Sequence, residues 1–263
     1  RFGPRQIRTE SAMLRHVNPA TGASPFESMM VADIGDMSVV PFNVERSCRI
    51  IKEEAAKIIK DGCQPLFMGG DHLVTYPILQ AMKEKYGKIG VVHIDSHADT
   101  IEHQLGERLT HGMPFSRAVE EELLDAERVV QIGLRGTLYS HDDFKVAEEQ
   151  GFRVVRVEEC WHKSLVPLME EVREQMGDGP VFVTFCIDAL DPAFAPATGT
   201  PEIGGLTTIQ ALEILRGCKG LNVIGTDLVE VCPPYDPFGT TALVAANLLF
   251  EMLCILPGVY YVK

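Results

Sequence analysis

Six side chains of types that bind divalent metal ions lie at or just beyond the ends of apolar segments in this sequence: His72, Asp95, His97, Asp99, Cys186 and Asp188. Asp95, His97 and Asp99 follow one such segment at intervals of two, and a chain that curls after a strand can aim all three at one point. Carboxylates that converge in this way would repel one another unless cations held them. The set therefore predicts a site for two metal ions.

The remaining candidates come from two other segments. Cys186 and Asp188 repeat the spacing of two at the end of a second apolar segment. His72 follows the Gly69-Gly70 turn, where the missing Cβ atoms let the backbone approach a crowded site. Taken singly, an Asp-x-His pair is typical of a loop hydrogen bond and Gly-Gly-Asp is typical of a turn. Because all of these motifs fall at strand ends, we favour one shared metal site.

The ligand types limit which metal ions the site can bind and which class of reaction it can catalyse. Aspartate oxygens with two imidazoles suit Mn²⁺, with Fe²⁺, Co²⁺ and Zn²⁺ as competitors. Two such ions about 3.5 Å apart can share a water molecule and lower its pKa towards neutrality, which makes that water the natural nucleophile. The sequence has no glycine-rich phosphate-binding loop and no Ser-His-Asp order that would supply another nucleophile. Metal-assisted hydrolysis is the expected class of reaction.

The composition limits the partners. The sequence has 24 basic and 37 acidic residues, and its net charge of −13 argues against a nucleic acid and against an anionic membrane surface. A cationic small molecule is compatible with this charge. Seven cysteines without a Cys-x-x-Cys spacing favour free thiols in a reducing compartment over a disulfide framework. We expect no membrane-spanning segment and no signal peptide.

The elements that must position these residues alternate regularly from residue 43 onward. Apolar strands are predicted at residues 64–68, 89–94, 129–134, 152–157, 181–187 and 221–228. Helices are predicted from Asn43, as the N-cap, to Gly62, and at residues 76–86, 118–126, 142–150, 165–176, 210–215 and 241–256. This order predicts a three-layer α/β fold, with a mostly parallel sheet between helices on both faces. Without an internal repeat or a break in composition, residues 1–263 are expected to form one domain.

Four stretches together resemble the ureohydrolase family, which contains arginases, agmatinases and guanidino-acid hydrolases. The likeness covers essentially the whole chain. It implies an arginase-like fold and a site with two Mn²⁺ ions that hydrolyses a guanidino compound, such as agmatine or 4-guanidinobutanoate, to urea and an amine. The stretches are Gly69-Gly70-Asp71-His72, Asp95-Ser96-His97-Ala98-Asp99, the run from Ile187-Asp188-Ala189 to Thr198-Gly199-Thr200-Pro201-Glu202, and the run from Asp227-Leu228-Val229-Glu230 to Asp236.

The resemblance also implies how the metal ligands are divided. Asp95 and the residue at position 186 would each contact both ions. The two ligand sets would be His72, Asp95 and Asp99 for one ion, and Asp95, His97 and Asp188 for the other.

Three residues would take part in catalysis on the same resemblance. His111 resembles the proton-shuttling histidine of the family, and the leaving amine would gain a proton by way of Asp99 or His111. Glu230 resembles the carboxylate that pairs with the guanidinium, and a planar cation favours such a bidentate anion in a desolvated pocket. The alternatives are a turn hydrogen bond for His111 and a strand-end salt bridge for Glu230.

The chain departs from the family pattern at position 186, where Cys replaces a bridging Asp. A carboxylate offers two hard oxygens, whereas a thiolate offers one soft sulfur and favours Zn²⁺ over Mn²⁺. We therefore expect two Mn²⁺ ions, with Zn²⁺ or a single ion as alternatives. Ala98 replaces a frequent Thr, which removes a hydroxyl, and Ala197 replaces a usual Gly, which would strain a loop that needs a positive φ. His93 is expected to be a hydrogen-bonded core residue or a partner of a ligand.

Three functions remain open from the sequence. The first is a metal-dependent amidinohydrolase, and the second is a homologue impaired in catalysis by Cys186, with a binding or assembly role. The third is another metal hydrolase of the same fold, such as a deacetylase, which Glu230 and the stretch 198–202 disfavour. The family implies a homo-oligomer and, through its mitochondrial members, a mitochondrial location. Members also carry an apolar strand before the stretch that matches Arg1, so we expect the N-terminal strand to be missing.

Overall fold

Six parallel strands form one central sheet in the computed structural model of the protein, which describes residues 1–138, 140 and 143–262. Their order across the sheet is β1-β6-β5-β2-β3-β4, where the strands are β1 (Leu66–Met68), β2 (Ile89–Ile94), β3 (Leu124–Leu134), β4 (Arg153–Arg156), β5 (Pro180–Cys186) and β6 (Asn222–Val229). Every pair of neighbours is parallel, so the carboxyl ends of all six strands lie at the same end of the sheet. All six predicted strands are confirmed.

Helices connect the strands and precede them. They are α1 (Gly3–Ser11), α2 (Pro25–Ser28), α3 (Val44–Lys60), α4 (Thr75–Tyr86), α5 (Pro114–Glu120), α6 (Asp143–Glu149), α7 (Val166–Met176), α8 (Thr208–Gly217) and α9 (Thr240–Ile255). Short 3₁₀ turns at His72–Val74 and Ile187–Ala189 follow β1 and β5. These two turns carry the predicted ligands His72 and Asp188. The chain therefore leaves the sheet at the positions where metal ligands were expected.

The helices cover both faces of the sheet, as period-two alternation along the strands requires. Val91 in β2 packs in one apolar core with Ile51 of α3 and Phe115 of α5. Its neighbour Val92 lies in the other core, with Val172 of α7 and Leu215 of α8. Helices α3 to α6 therefore cover one face, and α1 with α7 to α9 cover the other. The predicted three-layer α/β fold is confirmed.

Most predicted boundaries agree with the structure, with one correction. Asn43 caps α3, because its side-chain oxygen accepts a hydrogen bond from the Arg46 N–H at 2.8 Å. The predicted helix at 118–126 is wrong in its second half, since α5 ends at Glu120 and β3 begins at Leu124. The backbone N–H of Ile89 donates to the carbonyl next to this strand start, so pairing with β2 overrides the local helical pattern. Residue 142 of the predicted helix 142–150 lies outside the described residues.

The apolar helix α9 lies inside the protein, as its composition predicts. Ten of its 16 residues are buried, and they occupy more than one side of the helix. Among the described residues, no helix combines the length and apolar character needed to cross a membrane.

Candidate metal centre

The predicted ligands converge at the carboxyl ends of neighbouring strands. The backbone N–H of Asp95 still donates to Ile132 of β3 at 3.1 Å, and the chain then leaves the sheet. Asp99 has a φ of 54°, which turns the loop back until its carbonyl accepts a hydrogen bond from the Phe115 N–H at 3.2 Å. A left-handed conformation is costly for a residue with a Cβ, and such conformations concentrate at functional sites. The loop after β2 is thus folded onto itself around its acidic side chains.

The first ligand group comprises His72, His93, Asp95 and Asp99, all of them buried. His72 Nδ1 lies 2.8 Å from Asp95 Oδ2 and 2.9 Å from Asp99 Oδ2. This buried nitrogen nevertheless has no hydrogen-bond partner of acceptable geometry. A buried polar atom left unpaired requires an explanation. A divalent cation between the nitrogen and the two carboxylate oxygens would satisfy all three atoms.

The second ligand group comprises Asp95, His97 and Asp188. His97 Nδ1 lies 3.4 Å from Asp95 Oδ1 and 3.3 Å from Asp188 Oδ2, and the imidazole is 33% exposed. Asp95 belongs to both groups and faces them with different oxygens, Oδ2 in the first and Oδ1 in the second. A carboxylate placed in this way can bridge two ions. The ligand types and their division into two groups fit a dinuclear site.

The charges of the two groups depend on one another. Burial and the charge of Asp95 raise the pKa of Asp188. Burial would also raise the pKa of Asp95, but the imidazoles around it hold that pKa well below its usual value. Burial alone would lower the pKa of His97, but its contacts with Asp188 and Asp95 raise the pKa to about 11. Positive charge on His72 and His97 would offset the carboxylates here, and divalent cations could supply the same charge.

Cys186 ends β5 and is buried, with 1% of its surface exposed. Within the described residues its sulfur belongs to neither ligand group. Burial and the nearby carboxylates of Asp188 and Asp95 raise the pKa of the thiol well above its usual value. Since a cysteine binds a metal as the thiolate, these surroundings disfavour a bridging role for Cys186. Its contact with both ions stays a prediction.

The loop that carries Asp188 is fixed by neutral and cationic donors. Asp188 Oδ1 accepts hydrogen bonds from the N–H and the hydroxyl of Ser96, at 3.3 and 2.8 Å. The guanidinium of Arg135, which is 3% exposed, donates to backbone carbonyls, including those of Asp188 at 2.7 Å and Glu202 at 2.8 Å. Sequence patterns do not single out Arg135, because a single arginine after a strand carries no motif. Only the tertiary fold brings those carbonyls around it.

Glu230 follows β6 and lies beside the first ligand group. Its Oε1 accepts a hydrogen bond from the backbone N–H of His72 at 2.8 Å, and its own φ is 68°. A Cβ at Gly199 would lie 3.9 Å from Oε2, so the loop 198–200 flanks the carboxylate. Burial raises the pKa of Glu230 to about 8. A desolvated carboxylate of this kind favours a cationic partner.

His111 lies in an exposed turn before α5. In the part of the chain that the structure describes, no hydrogen bond or ion pair joins its side chain to either ligand group. Its role as a proton shuttle therefore stays a prediction.

Two expectations about neighbouring residues are resolved. His93 is fully buried and both ring nitrogens have partners, with Nε2 at 3.0 Å from Asp95 Oδ2 and Nδ1 at 2.9 Å from Gln131 Nε2. His93 is therefore a hydrogen-bonded core residue, as expected, and it contacts the predicted ligand Asp95. Ala197 does not have a positive φ, and its N–H donates to the Thr241 hydroxyl at 3.2 Å. The loop at this position accepts alanine without the strain that a positive φ would impose.

A parallel sheet with two carboxylate-rich ligand groups at its carboxyl end is the arrangement of a metal-binding α/β enzyme fold. The chain belongs to the arginase family, whose model matches residues 1–254. It is 63% identical over 259 residues to the mitochondrial agmatinase of Gallus gallus, covering 98% of this chain and 76% of that protein. It is 62% identical over 259 residues to the guanidinobutyrase of Pseudomonas aeruginosa, covering 98% and 81%. Among solved structures, the proclavaminate amidino hydrolase of Streptomyces clavuligerus matches with a TM-score of 0.89 and 37% identity, over 96% of this chain and 83% of that one.

These likenesses confirm the family and the arginase-like fold that the motifs predict. The two relatives at 63% and 62% identity are named for different guanidino substrates, one as an agmatinase and the other as a guanidinobutyrase.

Proposed function

We propose that this protein is a metal-dependent hydrolase that cleaves a C–N bond of a guanidino compound and releases urea and an amine. The observation that carries the proposal is the pair of ligand groups that share Asp95, together with His72 Nδ1, which lies within 2.9 Å of carboxylate oxygens of Asp95 and Asp99 without a well-aligned hydrogen bond. The names of the relatives, agmatinase and guanidinobutyrase, support the class of substrate. Agmatine and 4-guanidinobutanoate are the two substrates to compare.

Two divalent ions would be held by the two ligand groups. Mn²⁺ suits their oxygen-rich composition. Bound ions would supply positive charge that polarises the substrate and lowers the pKa of a water molecule between them. The ligands would be His72, Asp95 and Asp99 for one ion, and Asp95, His97 and Asp188 for the other.

Glu230 would bind and orient the guanidinium. Its carboxylate is held in place by the His72 N–H, and a cationic partner would reverse the burial effect that raises its pKa to about 8. A planar guanidinium can donate two parallel N–H bonds to one carboxylate. Such a pair would fix the substrate carbon relative to the ligand groups, which lowers the entropic cost of reaction.

The leaving amine must gain a proton, and we assign that transfer to Asp99 or His111. Asp99 is buried in the first ligand group, where it can hold a proton close to the reacting atoms. His111 is exposed and can exchange protons with solvent. An imidazole suits this task because its ordinary pKa lies near neutrality.

Cys186 would weaken the second ion relative to a site with a bridging Asp, and this supports Zn²⁺ or a single ion as alternatives to two Mn²⁺ ions. A buried, protonated thiol provides no negative charge, and a thiolate prefers Zn²⁺. The second candidate function is a catalytically impaired homologue with a binding or assembly role. The high pKa of the Cys186 thiol favours that candidate.

Metal content and urea release decide between the two candidates. The enzyme should bind about two Mn²⁺ per chain and release urea from agmatine or 4-guanidinobutanoate. Cys186→Asp should increase both the affinity for the second ion and the rate of urea release. Cys63→Asp adds the same charge at an exposed cysteine and should change neither.

The opposite result would favour the impaired homologue. A wild-type protein that binds no Mn²⁺ and releases no urea, with Cys186→Asp unchanged in both respects, contradicts the enzyme proposal. Equal affinity for the second Mn²⁺ ion in the wild type and in Cys186→Asp contradicts only the account of position 186.

We also propose a homo-oligomer, which the resemblance to the family implies, and a mitochondrial location, which the names of mitochondrial relatives support. Sedimentation at micromolar concentration tests the assembly, and a monomer would contradict it. Fractionation of cells that produce the protein from its natural gene tests the location, and recovery in the cytosolic fraction would contradict that.

A further inference from the structure

One row of the sheet consists of buried polar residues. Gln131 in β3, His93 in β2, Thr184 in β5 and Asp227 in β6 are successive register partners across four strands. All four are 0% exposed. Polar groups in a sheet core cost free energy unless hydrogen bonds satisfy them. The row lies two residues before Asp95 in β2. Its polar side chains therefore require a function that apolar side chains could not perform.

The amide of Gln131 can take only one orientation. Its Nε2 donates to the carbonyl of Ala98 at 2.7 Å and contacts His93 Nδ1 at 2.9 Å. Its buried Oε1 has no partner. A backbone carbonyl accepts and never donates, so rotating the amide would place two oxygens against each other. The amide nitrogen of Gln131 makes two hydrogen bonds and its oxygen makes none. The carbonyl of Ala98 therefore fixes the orientation of the amide.

This orientation in turn determines the tautomer of His93. Because the Gln131 amide nitrogen donates, Nδ1 of a neutral His93 must carry the lone pair and the ring proton must lie on Nε2. Nε2 is 3.0 Å from Asp95 Oδ2. The imidazole therefore presents an N–H to the carboxylate that both ligand groups share.

We propose that Gln131 is a positioning residue, which fixes the tautomer of His93 and through it the orientation of Asp95. Gln131 also donates to the carbonyl of Ala98, so one side chain holds the backbone of the ligand loop directly and its shared carboxylate through His93. Outer partners of metal ligands act in this way, and their loss typically costs about 10- to 100-fold in metal affinity. The consequence for metal binding rests on the proposed function, whereas the tautomer does not.

Gln131→Met tests the effect on metal affinity, because it removes both donors and keeps the length of the side chain. Mn²⁺ affinity, measured by titration calorimetry or by the electron paramagnetic resonance signal of free Mn²⁺, should fall by about tenfold or more. Gln175→Met is a matched control. Gln175 Nε2 likewise donates to two acceptors, the carbonyls of Glu127 and Val129, at 2.8 and 3.3 Å, and its Oε1 is also buried without a partner. The control should keep the wild-type affinity.

The ¹⁵N resonances of His93 in the whole chain, free of paramagnetic ions, test the tautomer independently of any variant's stability. They are assigned by their absence in His93→Asn, and they should show an unprotonated Nδ1 and a protonated Nε2. A proton on Nδ1, or equal Mn²⁺ affinity in Gln131→Met and Gln175→Met, overturns the inference. A wild type without affinity for Mn²⁺ would instead contradict the proposed function, and the tautomer would still decide the inference.

Discussion

Replacing Glu230 with Gln should separate substrate binding from stability. The carboxylate of Glu230 accepts a hydrogen bond from the His72 N–H at 2.8 Å, and a Gln side chain keeps an oxygen that can accept the same bond. The substitution therefore removes the charge and little else. If Glu230 pairs with the guanidinium of the substrate, the variant should bind substrate worse while its fold is at least as stable.

The size of the binding effect follows from the loss of a charged partner. Hydrogen bonds to charged groups contribute about 1.5–3 kcal/mol net. Since about 1.4 kcal/mol corresponds to a factor of ten, the KM for a guanidino substrate should rise about 10- to 150-fold. The kcat should fall less, because the ligand groups are unchanged.

At high pH, Glu230→Gln should have a higher free energy of unfolding than the wild type. Burial raises the pKa of Glu230 from 4.5 to about 8, so between these values the folded protein binds this proton more tightly than the unfolded chain. The stabilising effect of the proton is complete below the unfolded pKa and is lost as the pH rises through the folded pKa. Each pKa unit is worth about 1.4 kcal/mol, so the ionised side chain costs a few kcal/mol at about pH 9. Gln avoids that cost, and the advantage should disappear at about pH 4.

Steady-state urea release and denaturant unfolding of the metal-free protein at the two pH values measure these effects. Glu213→Gln is the control, because Glu213 is also partly buried and its carboxylate accepts a hydrogen bond from a backbone N–H, that of Leu165, at 2.6 Å. It should leave KM unchanged. An unchanged KM in Glu230→Gln, or a lower stability than the wild type at about pH 9, would refute the reasoning.

Three further substitutions test how the structure supports the site. Gly133→Ala should lower the free energy of unfolding by at least twice as much as Gly62→Ala does, and it should weaken Mn²⁺ binding. Both positions have a positive φ (106° and 85°), but of the two only Gly133 would place a Cβ 2.9 Å from a backbone oxygen, that of Asp95. Equal losses of stability in the two variants would refute this explanation. Asn43→Ala removes the cap of α3 and should cost about 1 kcal/mol, a fall in Tm of about 2–4 °C, with Mn²⁺ affinity unchanged. Arg135→Met leaves several buried carbonyls without a donor and should cost about 3 kcal/mol in chemical denaturation, whereas wild-type stability would show that water replaces the guanidinium.

Much of the fold follows from local patterns. The six strands and the cap at Asn43 are readable because apolar runs and capping residues act over a few neighbouring positions. The start of β3 is not, because Leu124 joins the sheet through pairing with Ile89, which lies 35 positions earlier in the numbering. The local pattern favours helix there, and a long-range pairing overrides it.

The sequence by itself determines which donors the site contains and that they lie at strand ends, because a spacing of two and a Gly-Gly turn act locally on the backbone. Only the tertiary structure decides how those donors are grouped: Asp95 faces two groups, and Cys186 lies outside both. The same holds for the contacts of Gln131 with His93, since the register between distant strands is set by the packing of two apolar cores. That packing depends on the whole chain at once, and no short stretch of sequence encodes it.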